Sequence, residues 1–282
     1  MESLPEPDVV DGIEYWNTQP ASLDGVLGGY GSGTLPRIDA LGSRLFLLNL
    51  FPELSTVPSA IRPLSPQVRP RTRALDVGAG IGRVTADVLL HLVSDVVLLE
   101  PVDSFVQEAL ARGRASTSLA TRKRGQDPWK GIADQTKSVT ILQGTLQEFD
   151  PLKPHRAKFL DRVGFQPLRP ADDIDMGFDV IWCQWCLGHL SDRDLISFFR
   201  RSHDALRDKG KGRSLIVVKE NLCQDMDDGS ACTLFDEQDS SLTRSDQAWK
   251  NIFRQAGLSL VAEQVQEGLP EGLYVVKMYG LR

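Results

Sequence analysis

The chain of 282 residues is short of several features that would place it quickly. No stretch approaches 18 consecutive apolar residues, so no membrane span is expected. Basic residues do not dominate: 32 Lys and Arg stand against 38 Asp and Glu, a formal charge of −6. That balance argues against a general nucleic-acid binder, DNA included, which would carry a basic stripe. The first ten residues, MESLPEPDVV, lack the basic flank and apolar core of an export signal. The expected compartment is therefore the cytoplasm or nucleus, where the four cysteines would stay reduced. No internal repeat is evident.

What is present is strand–helix alternation from residue 73 onward. RALDVGAG (73–80), DVVLLE (95–100), VTILQG (139–144), FDVIWCQW (178–185) and SLIVVKE (214–220) read as buried strands, followed by LSLVAEQVQ (258–266) and LYVVKMYGL (273–281). Helices are expected at 83–92, at 103–112 with Asp103 as N-cap, at 192–206 with Leu195, Phe198, Phe199 and Leu206 near one face, and near 244–256. This pattern predicts an α/β domain over 71–282, a Rossmann-like, seven-stranded, mostly parallel sheet with helices on both faces. Residues 1–70 show helical signals only and are expected to pack on the core as a lid or side wall. Three stretches read as surface insertions: 52–72 with five prolines, 113–137 with six Lys or Arg, and 151–177.

DVGAGIGR (76–83) follows a strand and opens a helix, so its glycines permit close backbone approach and the helix N-terminus offers free N–H groups. The spacing Gly78-x-Gly80-x-Gly82 departs from the dinucleotide pattern and matches S-adenosylmethionine (AdoMet) sites. Glu100, ending the second strand, is placed to accept ribose hydroxyls, and Arg83 to pair with the methionine carboxylate.

IWCQWCLGHLSD (181–192) sets two tryptophans, two cysteines and a histidine at a strand end, open to a metal, a nucleophile or a flat ligand. Cys183 and Cys186 lie three apart in the predicted strand, which directs them to opposite faces and disfavours a zinc pair. The cysteines read as small buried hydrophobes, and no metal is expected. Residues 225–239 hold six Asp or Glu and no Lys or Arg, either a solvated acidic loop or a site for a cationic side chain.

EYWNTQPASLDGVLGGYG (14–31), LDVGAGIGR (75–83), WCQWCLGHLSD (182–192), VVKEN (217–221), DEQDSS (236–241) and LPEGLY (269–274) together resemble the eukaryotic protein N-terminal (α-amino) methyltransferases. The resemblance runs from about residue 14 to the C-terminus. It implies the class I AdoMet-dependent fold and methylation of the free α-amine of proteins that begin X-Pro-Lys, with ribosomal and chromatin-associated proteins as substrates. The cofactor residues implied are Gly78, Gly80, Gly82, Arg83, Glu100, Pro101, Leu146, Gln147 and Gln184. The implied substrate channel is Trp16, Leu27, Trp185, His189, Asn221, Asp236, Asp239, Ser241 and Tyr274.

Glu100 and Glu220 stand where the family commonly has aspartate. Transfer to an amine requires a proton acceptor, for which Asp239 is favoured with His189 assisting. Trp185 is expected to offer a flat wall to the substrate's proline. A monomer is expected. A small-molecule methyltransferase and a non-catalytic binding module on the same fold are the rival readings.

Overall fold

The computed structural model describes residues 4–57, 71–118, 127–168, 176–210 and 212–282. Five parallel strands form its centre: β1 (Arg73–Val77), β2 (Asp95–Glu100), β3 (Ser138–Gln143), β5 (Val180–Gln184) and β6 (Leu215–Leu222). The antiparallel strand β4 (Lys158–Gly164) borders β3. On the far side, β10 (Val275–Leu281) runs antiparallel to β6 and carries β9 (Leu260–Val265) at the edge. The order is β4-β3-β2-β1-β5-β6-β10-β9. The chain therefore reverses its direction of travel between β1 and β5, and a crevice opens there beyond the strand ends.

Alternation along the strands sends successive residues to opposite faces. Ala74, Val96 and Leu98 join one apolar layer, with Phe46 and Leu47 of helix α3 (Leu35–Leu50) and Val106 of α5 (Asp103–Ala115). Leu75, Val77, Val97 and Leu99 join the other. They meet Leu195, Phe198 and Phe199 of α6 (Asp192–Asp204) and Trp249 and Phe253 of α7 (Asp246–Ala256). Before β1 the described residues form only helices: α1 (Val9–Thr18), the short α2 (Leu23–Val26), α3 and a single turn at Pro52–Leu54. The glycine loop leads into a wide helical turn, Thr85–Leu89, that tightens into α4 (Leu90–Leu92).

Several expectations require correction. The sheet has eight strands, not seven, because β4 lies inside the stretch expected to be a loop (151–177). As an edge strand exposed on one side it keeps a polar sequence, KFLDRVG, and hides from an apolar-run search. Val163 is buried, and Arg162 donates to Thr140 Oγ1 and Ser138 Oγ of β3.

The basic insertion is likewise not all surface. Helix α5 continues to Ala115, and Trp129 and Ile132 are buried in the core, while residues 119–126 lie outside the described set. The proline-rich stretch lies outside it from 58 to 70. Asp103 is not a cap: the N-cap is Val102, with no side-chain bond, and Asp103 is the first helical residue. A hairpin absent from the sequence reading, β7 (Thr233–Asp236) with β8 (Ser241–Arg244), stands apart from the main sheet and carries Asp239 in its turn.

Candidate active site

The ends of β1, β2 and β5 surround a cavity of about 990 Å³, its open mouth included. Of the expected residues, Gly78, Gly80, Arg83, Glu100, Pro101, Leu146, Gln147, Gln184, Trp16, Trp185 and His189 line it. Gly78 has φ +58, and a Cβ there would stand 2.4 Å from the Cys186 Cβ, so the loop and the turn after β5 cross at glycine distance. Cys186 Sγ donates to the Val77 carbonyl at 3.2 Å, which explains this cysteine as a compact spacer. It also lies beyond the strand end at Gln184, so the opposite-faces expectation for Cys183 and Cys186 carried the strand two residues too far.

Glu100 is buried, and its two carboxylate oxygens accept from the N–H groups of Gly80 (2.7 Å) and Val102 (2.8 Å). Burial pushes its pKa up to about 7, against the pull of those two donors. Each oxygen retains a second lone pair for a ligand. Asp76, also in the wall, accepts from Thr85 Oγ1 at 2.6 Å and is raised by burial to about 7.

Arg83 is held by Asp39 of α3, whose other oxygen accepts from Gln184 Nε2 at 2.8 Å and sits 2.6 Å from Lys219 Nζ. Burial opposes charge on Asp39, but Arg83 and Lys219 together hold its carboxyl below the usual range. Gln184 Oε1 in turn accepts from Trp182 Nε1. The amide is thus oriented from both ends.

Trp185 has φ +54, a left-handed conformation costly for so bulky a side chain. Its N–H donates to the Lys219 carbonyl, while Glu220 Oε1 accepts from Cys186 and Leu187 N–H, both at 3.0 Å. Glu220 therefore fastens the turn that presents Trp185 and is pushed by burial up to about 7. The Arg83 guanidinium lies 5.4 Å from the Trp185 ring centre.

His189 Nε2 accepts from Trp16 Nε1 at 3.0 Å. An indole N–H can only donate, so Nε2 is unprotonated and the ring proton of the neutral form sits on Nδ1. Burial lowers the His189 pKa, partly offset by Asp239, and keeps the ring neutral at pH 7. Nδ1 faces the Asp239–Ser240 backbone without a hydrogen bond of ordinary geometry. Asp239 is half-buried beside the cavity, and its Oδ1 is buried without a partner among the described residues. Gly12 of α1 fits between the two: a Cβ there would lie 3.1 Å from His189 Nδ1 and 3.4 Å from the Asp239 carbonyl oxygen. Ser240, at φ +53, accepts from the Asp8 N–H at 2.8 Å and ties the start of α1 to the hairpin turn.

The remaining expected residues fall outside the cavity wall. Gly82 does not line the cavity: a Cβ there would stand 2.8 Å from the Trp129 ring, so the loop packs on that ring at glycine distance. Leu27 is buried at the end of α2, and Val26 lines the cavity in its place. Ser241 lies against Gly188, and Asn221 is half-buried opposite Val276. Asp236 and Tyr274 are exposed. Sequence reading missed Asp39, Asp76, Lys219 and Gly12. The signals available were an aspartate inside an amphipathic helix, a lysine directly after the apolar run Leu215–Val218 and a glycine mid-helix.

The residues present fit AdoMet: a carboxylate for the ribose hydroxyls, apolar Val102, Phe105 and Leu146 for the adenine, and a guanidinium for the amino-acid carboxylate. Fold and site together define a class I AdoMet-dependent methyltransferase. A family model described as AdoMet dependent proline di-methyltransferase matches residues 6–282.

"Alpha N-terminal protein methyltransferase 1" of Schizosaccharomyces pombe is 36% identical over 277 residues, covering 98% of this chain and 97% of the relative. "N-terminal Xaa-Pro-Lys N-methyltransferase 1" of Xenopus tropicalis is 31% identical over 269 residues, 95% and 92% of the two chains. A solved SAM-dependent methyltransferase from Leishmania major superposes with a TM-score of 0.66 at 30% identity, over 97% of this chain and 82% of that one. The chain belongs to the AdoMet-dependent proline di-methyltransferase family.

Proposed function

We propose that the chain methylates the free α-amino group of proteins beginning Xaa-Pro-Lys. The observation that carries this reading is the meeting of His189, Trp16 and the Asp239 turn at the wall of the glycine-loop cavity. The cofactor supplies an activated methyl group on a sulfonium. The chain's residues have to bind the amine, free its lone pair and align it. An α-amine has a pKa near 8, so about a tenth is neutral at pH 7 and one proton acceptor suffices. Asp239 is that acceptor, through the buried Oδ1 that has no partner among the described residues. His189 helps place the amine: with Nε2 already accepting from Trp16, its neutral ring walls the cavity beside Asp239 and does not act as the base. Trp185, fixed by Glu220, forms the flat wall for the proline ring. The acidic surface of the β7–β8 hairpin suits the substrate lysine.

Ribosomal and chromatin-associated proteins are the substrate classes that the resemblance supports. The reading extends to a monomer acting in the cytoplasm or nucleus without binding DNA or membrane. The net negative charge supports the first exclusion; no helix among the described residues is long and apolar enough to cross a membrane.

The test is a peptide panel with labelled AdoMet. Ser-Pro-Lys and Ala-Pro-Lys peptides should accept label, and their N-acetylated forms should not. Normal AdoMet binding with no label on any free-amine peptide would overturn the substrate assignment.

A further inference from the structure

The cluster behind Arg83 is built to a degree that cofactor contact alone does not require. Asp39 is wholly buried and comes from α3, outside the parallel sheet. Its Oδ2 takes one Nη1 bond of Arg83, and its Oδ1 faces both Gln184 Nε2 and Lys219 Nζ. Lys219, also wholly buried, spends the rest of its ammonium on Ser43 Oγ (2.9 Å), Gln266 Oε1 (2.9 Å) and the Asp39 carbonyl (3.3 Å). None of these partners of Lys219 lines the cavity, so the lysine is a counter-charge for Asp39. Arg83 does line it. A guanidinium has five N–H donors, and the Asp39 bond leaves most of that fork for a ligand.

The charges are also uneven. The Asp39 carboxylate stands against two cations, Arg83 and Lys219, and Asp76 in the cavity wall beside Arg83 is raised by burial to about 7. The cluster is thus electrically suited to one further anion at the cavity face of Arg83.

We propose that Asp39 is a positioning residue: through its bonds to Arg83 and Gln184 it makes α3 part of the cofactor site, aiming the guanidinium at the carboxylate of the cofactor's amino-acid arm. This rests on the AdoMet reading of the cavity. It ties docking of α3 to occupancy of that carboxylate position.

The dependence on the carboxylate makes the proposal testable by binding alone. In the full chain, Asp39→Leu with Lys219→Met removes one charge of each sign, keeps the cluster's net charge and leaves Arg83 without the acceptor that aims it. Calorimetric titration should show AdoMet binding weakened about tenfold or more, the scale of one lost charge-assisted contact. Binding of 5′-methylthioadenosine, which has the nucleoside and thioether but no carboxylate, should stay within about twofold of wild type on that scale.

Equal losses for both ligands would mean that Asp39 only supports the fold, and an unchanged AdoMet affinity would overturn the proposal outright. Should that pair of changes prevent folding, a cycle with Arg83→Met decides. Asp39→Asn should cost AdoMet affinity in wild type and almost none once Arg83 is gone; additive losses would refute action through Arg83. Failure of the wild-type chain to bind AdoMet at all would remove the cofactor reading, and this proposal with it.

Discussion

The two ends of the cavity are built on different principles. Around the cofactor end, polar groups are paired inside the protein: Glu100 with Gly80 and Val102, Gln184 with Trp182 and Asp39, Arg83 with Asp39. Around the substrate end, Asp239 Oδ1, His189 Nδ1 and Trp185 Nε1 are buried with no hydrogen-bond partner among the described residues. Trp185 and Ser240 both hold strained left-handed backbone there. Preorganised pairing sets the position of a cofactor in advance. Unspent donors and acceptors, by contrast, have their cost relieved by the arriving ligand, which is how a site favours one partner over its close analogues.

The contrast is broken most severely at Asp239. Asp239→Asn should lower kcat by about a hundredfold or more, the scale of a lost proton acceptor, with AdoMet affinity nearly unchanged. A collapse of cofactor binding instead would place Asp239 at the other end of the cavity.

A smaller effect, on the cofactor side, follows from Glu100. The ionised carboxylate is the better acceptor for ribose hydroxyls, and its pKa stands at about 7. Affinity for AdoMet should therefore tighten as pH rises, by about tenfold between pH 6 and pH 8 for a single group titrating there. Glu100→Gln should bind more weakly and with a flat profile over that window. A slope that survives in the variant would assign the titration to Asp76.

Trp16→Phe keeps an aromatic ring, though a smaller one, and deletes the bond to His189 Nε2. The expected loss in kcat/KM is about fivefold, one neutral hydrogen bond, with AdoMet binding retained. The smallest effect belongs to Asp236, exposed and with Oδ1 engaged by the Gln238 N–H. Asp236→Ala should raise KM about twofold for a Ser-Pro-Lys peptide and less for Ser-Pro-Gln, as befits a solvent-screened charge. Equal changes for the two peptides would remove it from lysine recognition.

Legibility followed the range of the interaction. The five central strands were readable because burial on both faces leaves continuous apolar runs, and the glycine loop because its turn needs glycine locally. Strand β4 was not, since its one-sided exposure leaves an ordinary polar sequence. In the site, Arg83 and Glu100 could be placed from their offsets to strand ends. Gly82 satisfied the same spacing pattern yet turned its open side to Trp129, a residue from the basic stretch expected to be surface. Spacing alone cannot tell which side of a loop a distant ring will fill.

By itself the sequence determined the α/β alternation, the cofactor loop with its acid, and the order of motifs that marks the family. These depend on periodicity and turn chemistry within a few residues. Only the tertiary structure decided the proton position on His189, set by a tryptophan 173 residues away, and the buried Asp39–Lys219 contact across 180 residues. Such pairs form because the sheet order brings the N-terminal helices over the ends of β5 and β6. No local pattern encodes which buried charge will meet which.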